Sequence, residues 1–252
     1  MMKRLVIVLL VLAVAADASA TLIPLSITRS VGIGGTAGEI NYSESVSSTL
    51  DGTFSSSLTN SASWTDTEPK IAGFSASSYR AASSAAQNST VSGSDISVDI
   101  DLFASSGVSL WGPYSSGYSS TSSAFECIFL VQQALYYEFT MQRFVSGHDL
   151  PGPFLNFQLV GDNAGSILNP NSGLFGSPAT GILLPDTYTL RFNASAMSVV
   201  DPLGDFKSVD WSMHLNTSPV PDGASTFGLL GLALAGTSIL GRFMRRPLAA
   251  GV

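Results

Sequence analysis

The residues suited to nucleophilic catalysis are few in this sequence. The chain has one cysteine, Cys127, and two histidines, His148 and His214. Cys127, His148 and Asp149 together would supply the nucleophile, base and orienting acid of a cysteine hydrolase. Cys127, however, stands within an apolar stretch that has no basic neighbour to lower its pKa. The sequence therefore predicts an inert thiol in a strand and no catalytic residues.

Carboxylates offer two further kinds of chemistry. Asp95, Asp99 and Asp101 alternate with apolar residues, so they share one face of a strand, where they bind Ca²⁺ only if a loop adds carbonyl oxygens. The alternative is a plain solvated face, which we favour because no EF-hand loop is present. Glycoside hydrolysis would need a pair such as Glu126 and Glu138 to face one cleft. With two histidines and no cysteine cluster, we expect no metal site and no cofactor.

An aromatic segment is the remaining candidate for ligand binding. Trp111, Tyr114 and Tyr118 stand among Gly, Ser and Pro, a composition typical of a loop. Rings in such a loop can stack on sugar faces, and they can equally fill the edge of a core. Both alternatives stay open from sequence.

Alternating strands must position these residues. From Asn41 to Ser123 there are 27 serines, which alternate with apolar residues and so favour Ser-faced strands over a disordered stalk. The clearest strand is Ser94–Phe103. More apolar strands are expected at 124–131, 135–145, 154–160, 187–196 and 207–215, separated by Gly, Pro and Asp turns. The glycine-rich segment 32–38 has no Lys-Ser/Thr after it and is interpreted as a flexible linker. The pattern predicts an all-β, antiparallel two-layer β-sandwich that is jelly-roll-like, with no long helix between the two ends of the chain.

The C-terminal segment 220–252 has the composition of a sorting signal. A short motif, Val220-Pro221-Asp222-Gly223, precedes an apolar segment at 227–241, and a basic cluster of Arg242, Arg245 and Arg246 follows it. Counted from Ser225 to Gly241, a helix would span roughly 26 Å, close to a hydrocarbon core of roughly 30 Å. The arginines then predict a single transmembrane helix with its basic tail at 242–252 in the cytoplasm.

This tail resembles the C-terminal sorting domains of the PEP-CTERM class, most closely the VPDSG-CTERM variant. Gly223-Ala224 stands where that variant has Ser-Gly, and the resemblance covers only the last tenth of the chain. It implies an exosortase-type membrane protease as a partner, in bacteria that make exopolysaccharide. The segment Leu183–Phe192 also resembles, in pattern, the L-P-x-x-T-Y-T-L strand of the β-sandwich ectodomains that such enzymes sort.

The N-terminal residues 1–20 have the three parts of a signal peptide. Lys3 and Arg4 come first, an apolar stretch follows, and Ala18-Ser19-Ala20 fits a signal peptidase cleavage site. We expect export by the Sec machinery and a mature chain that begins at Thr21. The domain expectation is a signal peptide at 1–20, a Ser-rich ectodomain at 21–219 and a sorting signal at 220–252 with its motif at 220–226.

Composition limits the function of the ectodomain. Residues 21–219 carry 16 acidic and six basic residues, a formal charge of −10, so nucleic acid is not an expected partner. We expect a membrane-anchored and then cell-surface or extracellular protein. Its expected role is non-catalytic, structural or associated with exopolysaccharide, and it is not expected to be an enzyme. The alternative is a secreted, glycan-active hydrolase on a jelly-roll scaffold.

Overall fold

A computed structural model gives the fold of most of the ectodomain. It describes residues 21–37, 39–65, 78–108, 117–147, 154–169, 177–199 and 205–220. In these residues the regular structure is all β-strand, and none contains a helix that could cross a membrane. The predicted signal peptide with Ala18 and Ala20, the motif residues 221–223, the apolar segment and the arginines at 242, 245 and 246 lie outside the described residues.

Twelve strands make up the described part of the chain. They are β1 Leu22–Ala37, β2 Ile40–Ser48, β3 Thr53–Thr65, β4 Ser78–Val91, β5 Asp95–Val108, β6 Gly117–Val131, β7 Leu135–Gly147, β8 Phe154–Gly161, β9 Gly165–Leu168, β10 Ala179–Leu183, β11 Asp186–Val199 and β12 Asp205–Pro219. The chain divides into a compact unit that ends at Ser218, one residue before the end of β12, and a second unit that covers Pro219–Val252.

The strands form two antiparallel sheets. Sheet A has the order β2-β1-β6-β11-β8-β9, and sheet B has the order β10-β7-β12-β5-β4-β3. Their inner faces pack together: Phe192 of sheet A meets Trp211 of sheet B edge to face, with ring centroids 6.4 Å apart. The Ser106 and Ser198 hydroxyl oxygens, one from each sheet, are 2.7 Å apart. The predicted all-β, two-layer antiparallel architecture is confirmed for these residues.

The interior changes character along the strands. On β5, the inward side chains of Ile96, Val98, Ile100 and Leu102 are 0–3% exposed. At the C-terminal end of β5 the inward side chains are small or polar instead. The inward side chains at the start of β6 and at the end of β11, which lie at the same end of the sandwich, are also small or polar. The buried polar side chains at this end are Ser83, Ser106, Ser119, Thr121, Ser123, Ser198 and Lys207. Small hydroxyl side chains let the two sheets approach closely enough to hydrogen-bond to each other.

The described parts of the Ser-rich region form strands, as the alternation predicts. It contributes β2 to β5 and the first half of β6, and the outer row of β3 consists entirely of serines and threonines. The prediction of a flexible linker at 32–38 is wrong, because Gly32 to Ala37 belong to β1 and pair with both β2 and β6. These glycines make room for neighbouring serines: a Cβ on Gly32 would lie 3.1 Å from Oγ of Ser122. Packing across the sheet thus overrides the low strand propensity of glycine.

Both ends of the described unit lie at one pole of the sandwich, called the terminal pole here. The amide of Leu22 donates to the carbonyl of Gly93 at 2.7 Å, and the amide of Thr217 donates to the adjacent carbonyl of Ser94 at 2.8 Å. The strand ends that flank residues 66–77, 109–116, 148–153 and 200–204 lie at the opposite pole. The chain therefore enters and leaves the sandwich on the same side.

Candidate functional site

The outer face of sheet B carries an open groove, called the acidic groove here. Side chains of four strands line it: Asn88 of β4, Asp99 and Asp101 of β5, Gln142 and the ring of Phe144 on β7, and Asp210 and Ser212 of β12. The alternation of β5 and β12 produces the acidic floor, because Ile100 and Trp211 point inward and their neighbours point outward. The antiparallel register then sets Asp101 directly opposite Asp210 and Asp99 opposite Ser212.

Asp101 and Asp210 form a carboxyl pair across the two strands. Partial burial, the negative charge of Asp210 and a hydrogen bond to Asp210 together raise the pKa of Asp101 above its usual range. A proton held between two carboxyls relieves the repulsion of like charges placed directly opposite each other. This pair can accept hydrogen bonds, and when it is protonated it can also donate one.

The rim of the groove adds an aromatic ring. Phe144 is 63% exposed, so its ring is accessible to a ligand. The Arg143 guanidinium carbon lies 5.0 Å from the ring centroid of the inward-pointing Trp211, so a cation–π contact holds Arg143 on the inner side of sheet B. The groove encloses about 600 Å³, within the range of roughly 300–1,000 Å³ that small-ligand sites occupy. Carboxylates and amides beside an exposed ring are the groups that bind the hydroxyls and the apolar face of a sugar.

The aspartates do not gather into a metal site. Asp95 lies opposite Asn216 and four residues along β5 from Asp99, roughly 13 Å away at 3.3 Å per residue. Among the described residues, no group of three or more His, Cys, Asp or Glu side chains is placed to hold a metal ion. The stripe of Asp95, Asp99 and Asp101 is therefore part of the outward face of β5, and only Asp99 and Asp101 of these three line the groove.

Cys127 lies on the inner face of β6 and is completely buried. Burial raises the pKa of its thiol to about 12, although the charge of Arg29 nearby acts in the opposite direction. A thiol with such a pKa is almost entirely protonated at neutral pH and makes a poor nucleophile. His148 and Asp149, the other members of the hypothetical catalytic set, lie outside the described residues.

Glu126 and Glu138 do not face a common cleft. Glu126 lies on the outer face of sheet A, where its carboxylate pairs with Arg191 of β11. Glu138 projects from the opposite side of the sandwich, on the outer face of sheet B. The pair that sequence suggested for glycoside hydrolysis is therefore separated by both sheets. His214 is half-buried on β12, across from Ser97.

Of the three candidate ligand aromatics, the structure describes Tyr118. It stands at the start of β6 on the outer face of sheet A, is 39% exposed, and borders a trough floored by Gly34 and Ser120. Trp111 and Tyr114 lie outside the described residues. Tyr118 and the acidic groove are on opposite faces of the sandwich, so they do not form one site.

Sequence reasoning found Asp99 and Asp101 but missed their partners. The alternation in Ser94–Phe103 predicted which side chains of β5 point outward. Nothing in the sequence near Asp210 or Phe144 indicates that β12 lies beside β5 and that β7 follows β12 in the same sheet. That juxtaposition comes from strand order alone.

No family model, curated protein or solved structure matches this chain.

Proposed function

We propose that this protein is an exported surface or matrix protein whose sandwich binds a neutral extracellular polysaccharide without hydrolysing it. In this proposal the signal peptide directs export, the C-terminal segment resembling a VPDSG-CTERM signal anchors the chain, and an exosortase-type protease acts on that segment. The sandwich is then delivered to the cell surface or the extracellular matrix.

The acidic groove is the observation that supports the binding role most strongly. It brings the carboxyls of Asp99, Asp101 and Asp210, the amide of Asn88 and the exposed ring of Phe144 to one open face. Ser55 Oγ donates to the Asn88 amide oxygen at 2.6 Å, which fixes the orientation of that amide and leaves its NH₂ group as a donor toward the groove. An open groove suits a chain that passes through it, because a polymer cannot enter a closed pocket.

The charge of the groove favours a neutral polymer. Residues 21–219 carry a formal charge of −10, and three carboxyls line this site. A polysaccharide rich in uronic acids or phosphate would meet like charges on entering it. Neutral sugar hydroxyls instead donate to the carboxylates, with ring stacking on Phe144 as the apolar contribution.

The fold and the position of the chain ends agree with this proposal. The sheet orders β6-β11-β8-β9 and β10-β7-β12-β5 are the strand orders of an eight-stranded jelly roll, and β1 to β4 extend both sheets beyond it. We infer a jelly-roll-like sandwich, an architecture that includes lectin domains, although this is fold analogy only. The chain enters at Leu22 and leaves after Thr217 at the terminal pole, so a single tether at either end leaves the faces of both sheets accessible.

Affinity electrophoresis of the purified protein tests the binding role. The protein should be retarded in gels that contain a neutral polysaccharide and should migrate unretarded in gels that contain an acidic one. Phe144→Ala and Asp99→Asn should each reduce the retardation about tenfold in apparent affinity, the loss of one stacking or charged contact of about 1.4 kcal/mol. Phe154→Ala, on β8 of sheet A, is the matched control, because Phe154 is 61% exposed and remote from the groove.

The glycan hydrolase is the alternative that one observation favours. Asp99 and Asp101 are two residues apart on one strand face, about 7 Å, which is within the separation that inverting glycosidases use. The raised pKa of Asp101 suits a general acid. Release of reducing ends from a bound polysaccharide by the wild type, abolished by Asp101→Asn, would replace the binding role with a catalytic one. Retardation without any release supports the binding module.

A further inference from the structure

The edge strand β3 is long and has none of the features that usually protect a sheet edge. It pairs with β4 at all 13 of its positions without a bulge, and no other described strand lies on its far side. It contains no Pro, Gly or charged residue. Natural sheets protect their edges with charges, prolines, bulges or short strands, because an unpaired edge is a template for another strand.

The other three edge strands are better protected. In sheet B the opposite edge, β10, has five residues, and in sheet A β9 has four. The remaining edge, β2, has nine residues and carries Glu44. Among the described residues β3 is thus the longest edge, and it is uncharged although the domain around it is strongly acidic.

The sequence of β3 is nearly symmetric about Thr59. Five of the six pairs of residues equally distant from Thr59 are alike in size and character, and the exception is Leu58 with Asn60. The five are Thr53 with Thr65, Phe54 with Trp64, Ser55 with Ser63, Ser56 with Ala62, and Ser57 with Ser61. Two antiparallel copies related by a twofold axis at Thr59 would place each of these pairs directly opposite each other. Such symmetry is what pairing of a strand with a second copy of itself requires.

We propose that β3 pairs with β3 of a second copy of this chain, antiparallel and centred on Thr59, so that the two B sheets join into one. The outward row would then be entirely Ser and Thr, from residue 53 to residue 65, and it brings no charge against its partner. On the inner row Phe54 meets Trp64 of the other copy. A shift of the pairing by two residues would separate these rings, so the aromatic pairs fix the register.

The local contacts of β3 are compatible with this pairing. Asn60 donates to the carboxylate of Glu44 at 2.6 Å and accepts from the Ser61 amide at 2.8 Å, while Trp64 packs on Tyr79 with ring centroids 5.3 Å apart. Only the bond between Ser61 and Asn60 is a local substitute for a strand partner, and it can be exchanged. Because the domain carries a formal charge of −10, added salt should strengthen the association by screening repulsion between the copies.

Cysteine cross-linking of the full chain in mild detergent tests the register. Across the proposed axis the two Thr59 Cα atoms are about 4.5–5.5 Å apart, within disulfide reach, whereas the two Ser57 Cα atoms are roughly 13 Å apart. Thr59→Cys should therefore form a disulfide dimer about tenfold faster or more than Ser57→Cys, a control on the same exposed row. The native Cys127 does not compete, because it is buried and its pKa is about 12. Equal rates for the two variants, or no dimer from either, would overturn the proposal.

A charge exchange provides an independent test. Thr59→Lys and Thr59→Glu should each be monomeric by light scattering at concentrations where the wild type dimerises, because each places like charges across the axis. Mixed together they should form a heterodimer. Ser84→Lys is the control, since Ser84 lies opposite Thr59 on β4, one strand inside the edge, and it should dimerise like the wild type. A monomeric wild type at all concentrations and salt levels, or dimers of Thr59→Lys alone, would show that β3 is not the interface.

Discussion

Replacement of the buried Arg29 should destabilise the sandwich more than replacement of any exposed arginine. Arg29 points into the interior from β1 and is 1% exposed. Its two terminal nitrogens donate to the carbonyl oxygens of Leu50 and Gly52, at 2.5 and 2.6 Å, on the link between sheets A and B. Its guanidinium carbon lies 5.9 Å from the ring centroid of Phe54 and 6.0 Å from that of Phe125. The side chain thus holds the crossing from β2 to β3 against the core.

The magnitude follows from these contacts. Two charge-assisted hydrogen bonds contribute about 1.5–3 kcal/mol each, and the two ring contacts about 0.5–1 kcal/mol each. Replacing Arg29 with an uncharged residue also removes the cost of burying its charge, which offsets part of this loss. That cost is evident because burial lowers the pKa of Arg29 and its Nε has no hydrogen-bond partner among the described residues. We expect Arg29→Met to lower the free energy of unfolding by about 2–4 kcal/mol. Arg29→Lys should lower the free energy of unfolding by nearly as much, because a single ammonium group cannot replace the two-pronged guanidinium that binds both carbonyls.

Urea denaturation followed by tryptophan fluorescence measures this change. Arg191→Met is the control, because Arg191 is 48% exposed and pairs with Glu126 on the outer face. Its effect should stay within about 0.5 kcal/mol. If Arg29→Met is as stable as Arg191→Met, Arg29 does not hold the crossing and the reasoning fails.

Three further predictions concern the groove, the thiol and the tail. The pKa of Asp101 is raised in the folded state. The stability that this group contributes is therefore fully present below its unfolded pKa and is lost as the pH rises through its folded pKa. Asp210→Asn should weaken this pH dependence of the melting temperature and stabilise the protein by about 0.5 kcal/mol at pH 7 in low salt. Cys127 should resist alkylation in the native state and react at the ordinary rate in urea, and rapid native labelling would contradict its burial. Replacement of Pro221 and Asp222 by alanine should leave the full-length protein in the membrane fraction of the host, and an unchanged distribution on immunoblots would show that the tail is a plain anchor.

Local alternation predicted the strands whose faces differ sharply in polarity. In β5 the apolar residues Ile96, Val98, Ile100 and Leu102 mark the buried face, and all four are buried. The same signal located most of β7, β8, β11 and β12. β1 was missed because its glycines have low strand propensity, and only pairing with strands on both sides keeps them extended. The four-residue β9 is too short to show a period.

The acidic groove could not be predicted because its residues come from strands that are distant in sequence. Asp101 meets Asp210 through the pairing of β5 with β12, and Phe144 joins them through the neighbouring β7. Sequence alternation gives the face of each strand but not the order of strands in a sheet. For the same reason Glu126 and Glu138, which suggested a catalytic pair, project from opposite sides of the sandwich.

The mature protein recovered from outside the producing cell gives the most direct test of the central claim, which is delivery of the sandwich freed from both terminal signals. Its N- and C-terminal peptides can be identified by mass spectrometry. We predict an N-terminus at Thr21 and a C-terminus that precedes the apolar segment at 227–241. Recovery of a chain that begins at Met1 or Met2, or that retains Arg242, Arg245 and Arg246, would contradict the claim.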